Sequence, residues 1–353
     1  MKKQIALLLI MVMAFGLLAG CAGTTVVNNY YYYYYYGEEG NTGNNGNNNG
    51  GNTNPTEKPD YSGEGALKTG LVIMPTVTTT NASDANGKVE YDVTFVAVLV
   101  DDKGIIADCI IDGLGATVEF DATGALKSDV TKDLLTKNEL GDDYNMVAWG
   151  GAKAEWYVQV EYFANYCIGK TADQVLAGYS EDVDLTTSAT IKLGGYAQAV
   201  AAAVENAKHL GAKAGDELKM ATVSSLSASA NNAIELDCDM VVMTMKDGSI
   251  TSCYLDALQA KVAVDATGVA TVGNTQTKNE LGDNYNMVAW GGAKYEWYQQ
   301  AENFCAYVTG KTPADVAGIS VNESTKPADG TDLATTVTIA IAGFQALVAK
   351  AAG

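Results

Sequence analysis

The chain has 353 residues, with 42 acidic against 22 basic side chains and a formal charge of −20. Every basic residue is lysine and His209 is the only histidine. Nucleic acid is therefore a poor partner, and Ser/His/Asp, Cys/His and histidine-based metal chemistry are ruled out.

Lys2 and Lys3 precede an apolar run from Ile5 to Ala19, too short to span a bilayer comfortably but suited to a signal peptide over residues 1–20. The run ends in Leu18, Ala19, Gly20 and Cys21, the pattern of a bacterial lipobox, so Cys21 is expected to carry lipid and hold the mature chain on a bilayer. Residues 21–65 are rich in Asn, Gly, Thr and Tyr and almost free of aliphatic side chains. Such a composition predicts a disordered linker with a reach of roughly 35 to 40 Å. Within it, Tyr30 to Tyr36 is an unbroken run of tyrosine that reads as a low-complexity spacer.

Two domains are expected, over residues 66–213 and 214–353. In the first, Tyr91 to Val100, the turn Asp101 to Gly104 and Ile105 to Ile111 predict a β-hairpin. In the second, Ile234 to Met245 and Ser249 to Leu255 flank the turn Lys246, Asp247, Gly248. A further hairpin signal, AspAlaThrGly, ends at Gly124 and again at Gly268. Next comes a block that the chain states twice. Thr136 to Tyr157 returns as Thr277 to Tyr298, 141 residues later, with Asp143 against Asn284 and Ala154 against Tyr295 as its only differences. A period of that size is a domain duplication, since solenoid repeats recur every 20 to 50 residues.

After the block the period becomes helical. Trp156, Tyr157, Val160, Phe163, Ala164 and Cys167 share one face over Ala152 to Ile168. Gly169, Lys170 and Thr171 lack the upstream glycine of a phosphate loop, so Gly169 reads as a helix end and Thr171 with Gln174 as a capping box. Pro313 suits the first turn of the matching helix. The segment Thr186 to Lys192 alternates as a strand does. Ala-rich helices over Tyr196 to Leu210 and Phe344 to Ala352 close the two domains. The resulting fold class is α+β, two repeats each with an antiparallel sheet packed by helices. Cys109 and Cys253 occupy the same place in the repeats whereas Cys167 and Cys305 do not, so these and Cys238 are expected as small buried hydrophobes and not as a disulfide framework. Glu139, Asp142 and Asp143 are acidic, but neither repeat has a twelve-residue calcium loop. No residue set resembles a strong catalyst, so any chemistry is expected from a cofactor.

One segment names that cofactor by resemblance. Asp184, Leu185, Thr186, Thr187, Ser188, Ala189, Thr190, Ile191 and its counterpart from Asp332 to Ile339 resemble the DxxSGATI motif of FMN-binding domains, with Ser188 and Thr336 in the place of its glycine and Val337 in that of its alanine. Together with the LysAsnGluLeuGlyAsp, GluTrpTyr and GlyLysThr segments, residues 66–353 resemble the lipoproteins of Gram-positive extracellular electron transfer. That resemblance implies FMN joined through its phosphate to Thr190 and Thr338 by a flavin transferase, with Asp184 and Asp332 as the leading acids. It implies electron flow from a membrane-bound reductase or quinone pool to an extracellular acceptor, the protein being a carrier more than a stand-alone enzyme. Trp149 and Trp290, aromatic residues among glycines, are the expected flavin neighbours, while Trp156 and Trp297 are expected in the core. The competing expectation is a non-catalytic surface lipoprotein that binds a small ligand or cell-wall component without covalent flavin.

Overall fold

The computed structural model describes Thr24–Asn28, residues 58 and 59, and residues 61–353. The signal peptide, Cys21 and the Tyr30 to Tyr36 run lie outside the described residues. Each repeat contributes one antiparallel sheet. The first has the order β1 (Thr24–Asn28), β2 (Lys68–Thr80), β3 (Gly87–Val100), β4 (Ile106–Phe120). Between its strands and those of the second sheet come α1 (Lys137–Leu140), α2 (Trp156–Cys167), α3 (Ala172–Gly178), α4 (Val183–Ser188) and α5 (Gly194–Glu205). The second sheet has the order β5 (Glu217–Ser225), β6 (Ala233–Lys246), β7 (Ser249–Val264), β8 (Ala270–Val272). It is followed by α6 (Lys278–Leu281), α7 (Met287–Gly291), α8 (Trp297–Val308), α9 (Pro313–Ala317) and α10 (Ala342–Ala352).

Both predicted hairpins are present and run longer than the sequence patterns suggested. Asp101 shapes the first turn by accepting the Lys103 and Ile105 amides, each at 2.8 Å. The AspAlaThrGly turn leads to a true strand, β8, only in the second repeat; in the first it yields a single bridge, Phe120 to Leu126. Strand β1 falls within the segment expected as a linker. Its Thr-Thr-Val-Val sequence is β-branched, and Val26 pairs with Thr78 on the edge of β2.

The two sheets pack face to face. Val77, Val93 and Phe95 of the first sheet and Ile234, Met240 and Leu258 of the second belong to one buried cluster. The Tyr91 hydroxyl crosses the interface to the Ala260 carbonyl at 3.3 Å, and the Thr69 and Ser252 hydroxyls meet at 2.8 Å. The repeats therefore share a central core in addition to the one that each has under its own helices. Burial of each such large side chain contributes about 1.5 to 3 kcal/mol. On its outer face each sheet carries the helices of its own repeat, Val96, Val98 and Val100 meeting α2 and α5 and their counterparts meeting α8 and α10. This double burial explains the apolar run that ends β3. The result is four layers, helix, sheet, sheet, helix.

Helix ends follow the expected chemistry. Gly169 takes φ of +80°, where a side chain would be strained, and its amide bonds the Ile106 carbonyl at 2.8 Å. Thr171 and Gln174 form a reciprocal capping box, and Pro313 sits in the first turn of α9. The first closing helix stops at Glu205, short of the expected Leu210, because Lys208 turns to pair with Thr69 of β2.

Candidate functional site

The duplicated block folds into the same self-clamped unit in each repeat. Thr136 caps α1 by accepting the Glu139 amide at 3.2 Å, while Glu139 accepts the Thr136 amide at 2.8 Å. Thr277 and Glu280 repeat this at the same distances. A buried aspartate fastens each cap to the sheet. Asp112 accepts the Asn138 amide at 3.0 Å and the Gly113 amide at 2.7 Å; Asp256 accepts those of Asn279 at 3.1 Å and Ala257 at 2.7 Å. Burial pushes the Asp256 carboxyl up to about 6, with hydrogen bonds from Thr277 and the two amides only partly offsetting it. Asp112 is raised by burial in the same way.

A 3₁₀ turn follows each cap and ends in a left-handed asparagine, Asn145 or Asn286, with φ of 62° and 63°. The chain then winds through one more turn whose free amides are taken by a carboxylate from beyond it. Glu155 accepts the Met146 and Val147 amides at 2.8 and 3.0 Å, and Glu296 accepts those of Met287 and Val288 at the same distances. These anchored turns hold Trp149 and Trp290 out in solvent, each 89% exposed. Both indoles, the expected flavin neighbours, thus present their faces to solvent. Fixing the turn through Glu155 leaves their side chains without a facing surface.

Inside the turn lies a cation held between rings. The Lys137 ammonium is 5.6 Å from the Tyr144 ring centroid, 5.3 Å from that of Trp156 and 3.2 Å from an Asp92 oxygen. Burial disfavours that charge, yet Asp92 and the neighbouring tyrosines hold the Lys137 pKa above its ordinary value. Lys278 stands likewise over Tyr285 and Trp297, at 5.3 and 5.0 Å. Trp156 and Trp297 are buried, as expected. Gly113 permits the arrangement in the first repeat, because a Cβ there would lie 3.1 Å from Lys137 Cδ and 3.3 Å from Trp156 Cζ2. Beside this cation, the first sheet has an open groove of about 340 Å³ bordered by Thr76, Thr78, Glu90, Asp92, Gly115 and Thr117.

Thr190 and Thr338 are joined to the block by a residue that the sequence pattern did not single out. Gln159, fully buried on α2, accepts the Thr190 amide at 2.7 Å, the Thr190 hydroxyl at 3.0 Å and the Ile191 amide at 3.2 Å. Its own amide donates to the Ala154 carbonyl at 2.7 Å. Gln300 accepts the Thr338 amide and hydroxyl at 2.7 and 3.1 Å and donates to the Tyr295 carbonyl at 2.8 Å. Since the block is gripped through that carbonyl, its change from Ala154 to Tyr295 does not touch the link. The available signal was a glutamine three residues after Trp156 and again after Trp297, on an otherwise apolar face.

The threonines sit in turns, and the strand expected over Thr186 to Lys192 is absent. Asp182 caps α4 by accepting the Leu185 amide at 2.9 Å, and Leu185 docks in the outer core, so the segment winds instead of extending. Asp184 and Asp332 are exposed and hold neither threonine. Thr190 is exposed and Thr338 half-buried, and each shortly precedes a helix, α5 or α10, whose start has no side-chain cap. The unpaired amides of those first turns favour an anionic group. His209 lies on the surface, 2.9 Å from Asp102. Among the described residues no group of His, Cys, Asp and Glu is arranged to hold a metal ion, and no helix is long and apolar enough to cross a membrane. No protein-family model, curated protein or solved structure matches the chain.

Proposed function

We propose that the protein is a lipid-anchored extracellular electron carrier with FMN esterified to Thr190 and Thr338. The observation that carries this reading is the glutamine clamp, which presents a threonine hydroxyl beside an uncapped helix start in the same way in both repeats. The residues suit such a group. Thr190 or Thr338 would provide the ester oxygen, and the free amides at the start of α5 or α10 would face the phosphate. FMN, when bound, supplies one- and two-electron transfer. Lys137 and Lys278 would set a fixed positive charge near an electron-rich ring, and the exposed Trp149 and Trp290 offer aromatic faces at the protein surface. Cys21 would tie the carrier to the bilayer, between a membrane-bound reductase or quinone pool and an extracellular acceptor.

A second reading, a surface module that binds a small ligand or cell-wall component without covalent flavin, is favoured by the solvent-facing Trp149 and Trp290. Co-expression with a flavin transferase, followed by intact mass and visible absorption, separates the two. Two FMN adducts are expected, one lost in Thr190→Val and the other in Thr338→Val. A colourless protein of unmodified mass rejects the flavin reading and leaves the binding module.

A further inference from the structure

A cavity of about 300 Å³ lies on the seam between the repeats. One wall comes from β4 and the α1 cap, with Ile110, Asp112 and Glu139; the other comes from β5 and α10, with Met220, Thr222 and Lys350. Lys350 and Glu139 form an ion pair, and both are partly exposed at the cavity mouth. Lys350 also donates to the Thr222 carbonyl at 2.7 Å. Asp112 and Thr222 are buried. Ala221 belongs to the outer core beneath α10, so strand alternation turns Thr222 the other way, toward the first sheet. There its hydroxyl has no hydrogen-bond partner, the only buried side-chain oxygen or nitrogen so left among the described residues. Such an atom costs stability unless something enters to meet it.

The opposite seam uses the same positions and fills them differently. Ile73 corresponds to Thr222, since each pairs with the strand residue, Phe95 or Met240, that pairs in turn with the buried aspartate. Tyr254 corresponds to Ile110, two residues before that aspartate. Ala202 corresponds to Lys350, each six residues after the ring, Tyr196 or Phe344, that meets the helix tryptophan. Burial works against the Glu139 charge, yet Lys350 and the Thr136 amide hold its carboxyl below the ordinary value. Glu280, whose corresponding neighbour is Ala202, is raised by burial. The first seam thus lacks a ring, has a hydroxyl in place of an alkyl group, and has an ammonium at its mouth. Packing alone would answer a smaller side chain with a larger apolar one.

We propose that this seam binds a small neutral polyhydroxylated molecule, of monosaccharide size or below. Lys350 at the mouth disfavours a cation, and the Asp112 and Glu139 carboxyl groups disfavour an anion. A ligand hydroxyl both accepts and donates, so it suits the free Thr222 hydroxyl, the remaining Lys350 N–H and the carboxyl oxygens alike. Ile110 and Met220 offer apolar surface to its C–H groups. The site uses neither Thr190 nor Thr338, so it stands whether or not those residues carry flavin.

The full-length chain is tested by saturation-transfer NMR against glycerol, ribose, glucose and galactose, with glucosamine and glucuronate as a cation and an anion of matching size. A saturable signal is expected from at least one neutral probe, with the charged sugars at least about tenfold weaker. Thr222→Val keeps the shape and removes the orphan hydroxyl, so it should melt no lower than the parent and bind at least about tenfold more weakly. Ile110→Tyr copies the opposite seam and should abolish the signal. Should either variant fail to fold, the other and the wild-type ranking decide. No saturable signal from any neutral probe means a cavity filled by water only and overturns the proposal. It is equally overturned if a charged sugar binds most tightly, or if a signal survives undiminished in a folded Thr222→Val or Ile110→Tyr protein.

Discussion

The two repeats agree in the parts that hold the threonines and differ in the space beside the clamped lysine. Both keep the capping box, the buried aspartate, the carboxylate that anchors the tryptophan turn and the glutamine under the threonine. In the first repeat Gly115 leaves the groove open, and Asp92 pairs with Lys137. In the second, Gln259 occupies the register position of Gly115. Its amide donates to Glu235 at 3.1 Å and Asp237 at 3.2 Å, and its carbonyl oxygen accepts the Tyr285 hydroxyl at 2.8 Å. Tyr196, which accepts the Trp156 indole N–H at 3.0 Å, is matched by Phe344, which meets Trp297 only edge to face. The presentation of the threonine hydroxyl is thus common, while the surroundings of the cation are tuned separately.

Removing the shared clamp should have the largest effect. Gln159→Leu preserves bulk but strands the Thr190 and Ile191 amides and the Ala154 carbonyl, and a loss of about 3 to 4 kcal/mol in urea unfolding is expected. Gln300→Leu strands one amide fewer and should cost about 2 to 3 kcal/mol. If both variants stay within about 1 kcal/mol of the parent, the glutamines are filler and the symmetry of the clamp has no energetic content.

The buried aspartates come next. Asp256, raised from 3.8 to about 6 on folding, is protonated in both states below pH 3.8 and contributes its full stability there. Between 3.8 and 6 the unfolded chain ionises first, so stability falls as pH rises, by on the order of 2 to 3 kcal/mol once the pH has passed 6. Asp256→Asn keeps the oxygen that accepts the Asn279 and Ala257 amides and should flatten this dependence. Asp112→Asn acts in the same direction. An Asp256→Asn protein with the parental pH profile between 3.5 and 7 would show that the dependence arises elsewhere.

Much of this architecture is legible where the chemistry is local. The hairpins, the Thr171 and Thr312 caps, Pro313 and both closing helices follow from turn residues, caps and apolar period, which need no partner to be recognised. Strands β2 and β5 escape because their character depends on what covers them. β2 has both faces buried through Gly70 to Ile73 and so loses its alternation, while β5 mixes polar and apolar side chains where it meets the other sheet. The shared central core is a property of two distant segments and leaves no local mark. Thr186 to Lys192 has strand propensity, but the Asp182 cap and the docking of Leu185 override it. Gln159 reads as an ordinary polar helix residue until Thr190, 31 positions away, is brought over it. Trp149 suggests a stacking partner by type and flanking glycines, whereas its exposure is decided by Glu155.

The smallest expected effect tests the difference between the repeats most directly. Gly115 has no heavy atom within 4 Å of the place a Cβ would take, so Gly115→Gln meets no clash. Glu90 and Asp92 stand at the register positions of Glu235 and Asp237, and a glutamine between them has the same acceptors as Gln259. Replacing a strand glycine should stabilise by about 0.5 to 1 kcal/mol, read as a small rise in the melting temperature. The new amide also competes with Lys137 for Asp92, so the salt dependence of stability should weaken. Gln259→Gly should move both quantities the other way, since it frees Asp237 and opens the second groove. If both substitutions destabilise, each groove is fitted to its own neighbours and the repeats have diverged beyond exchange. Opposite signs would mean that one side chain separates an open cation site from a closed one on the same sheet.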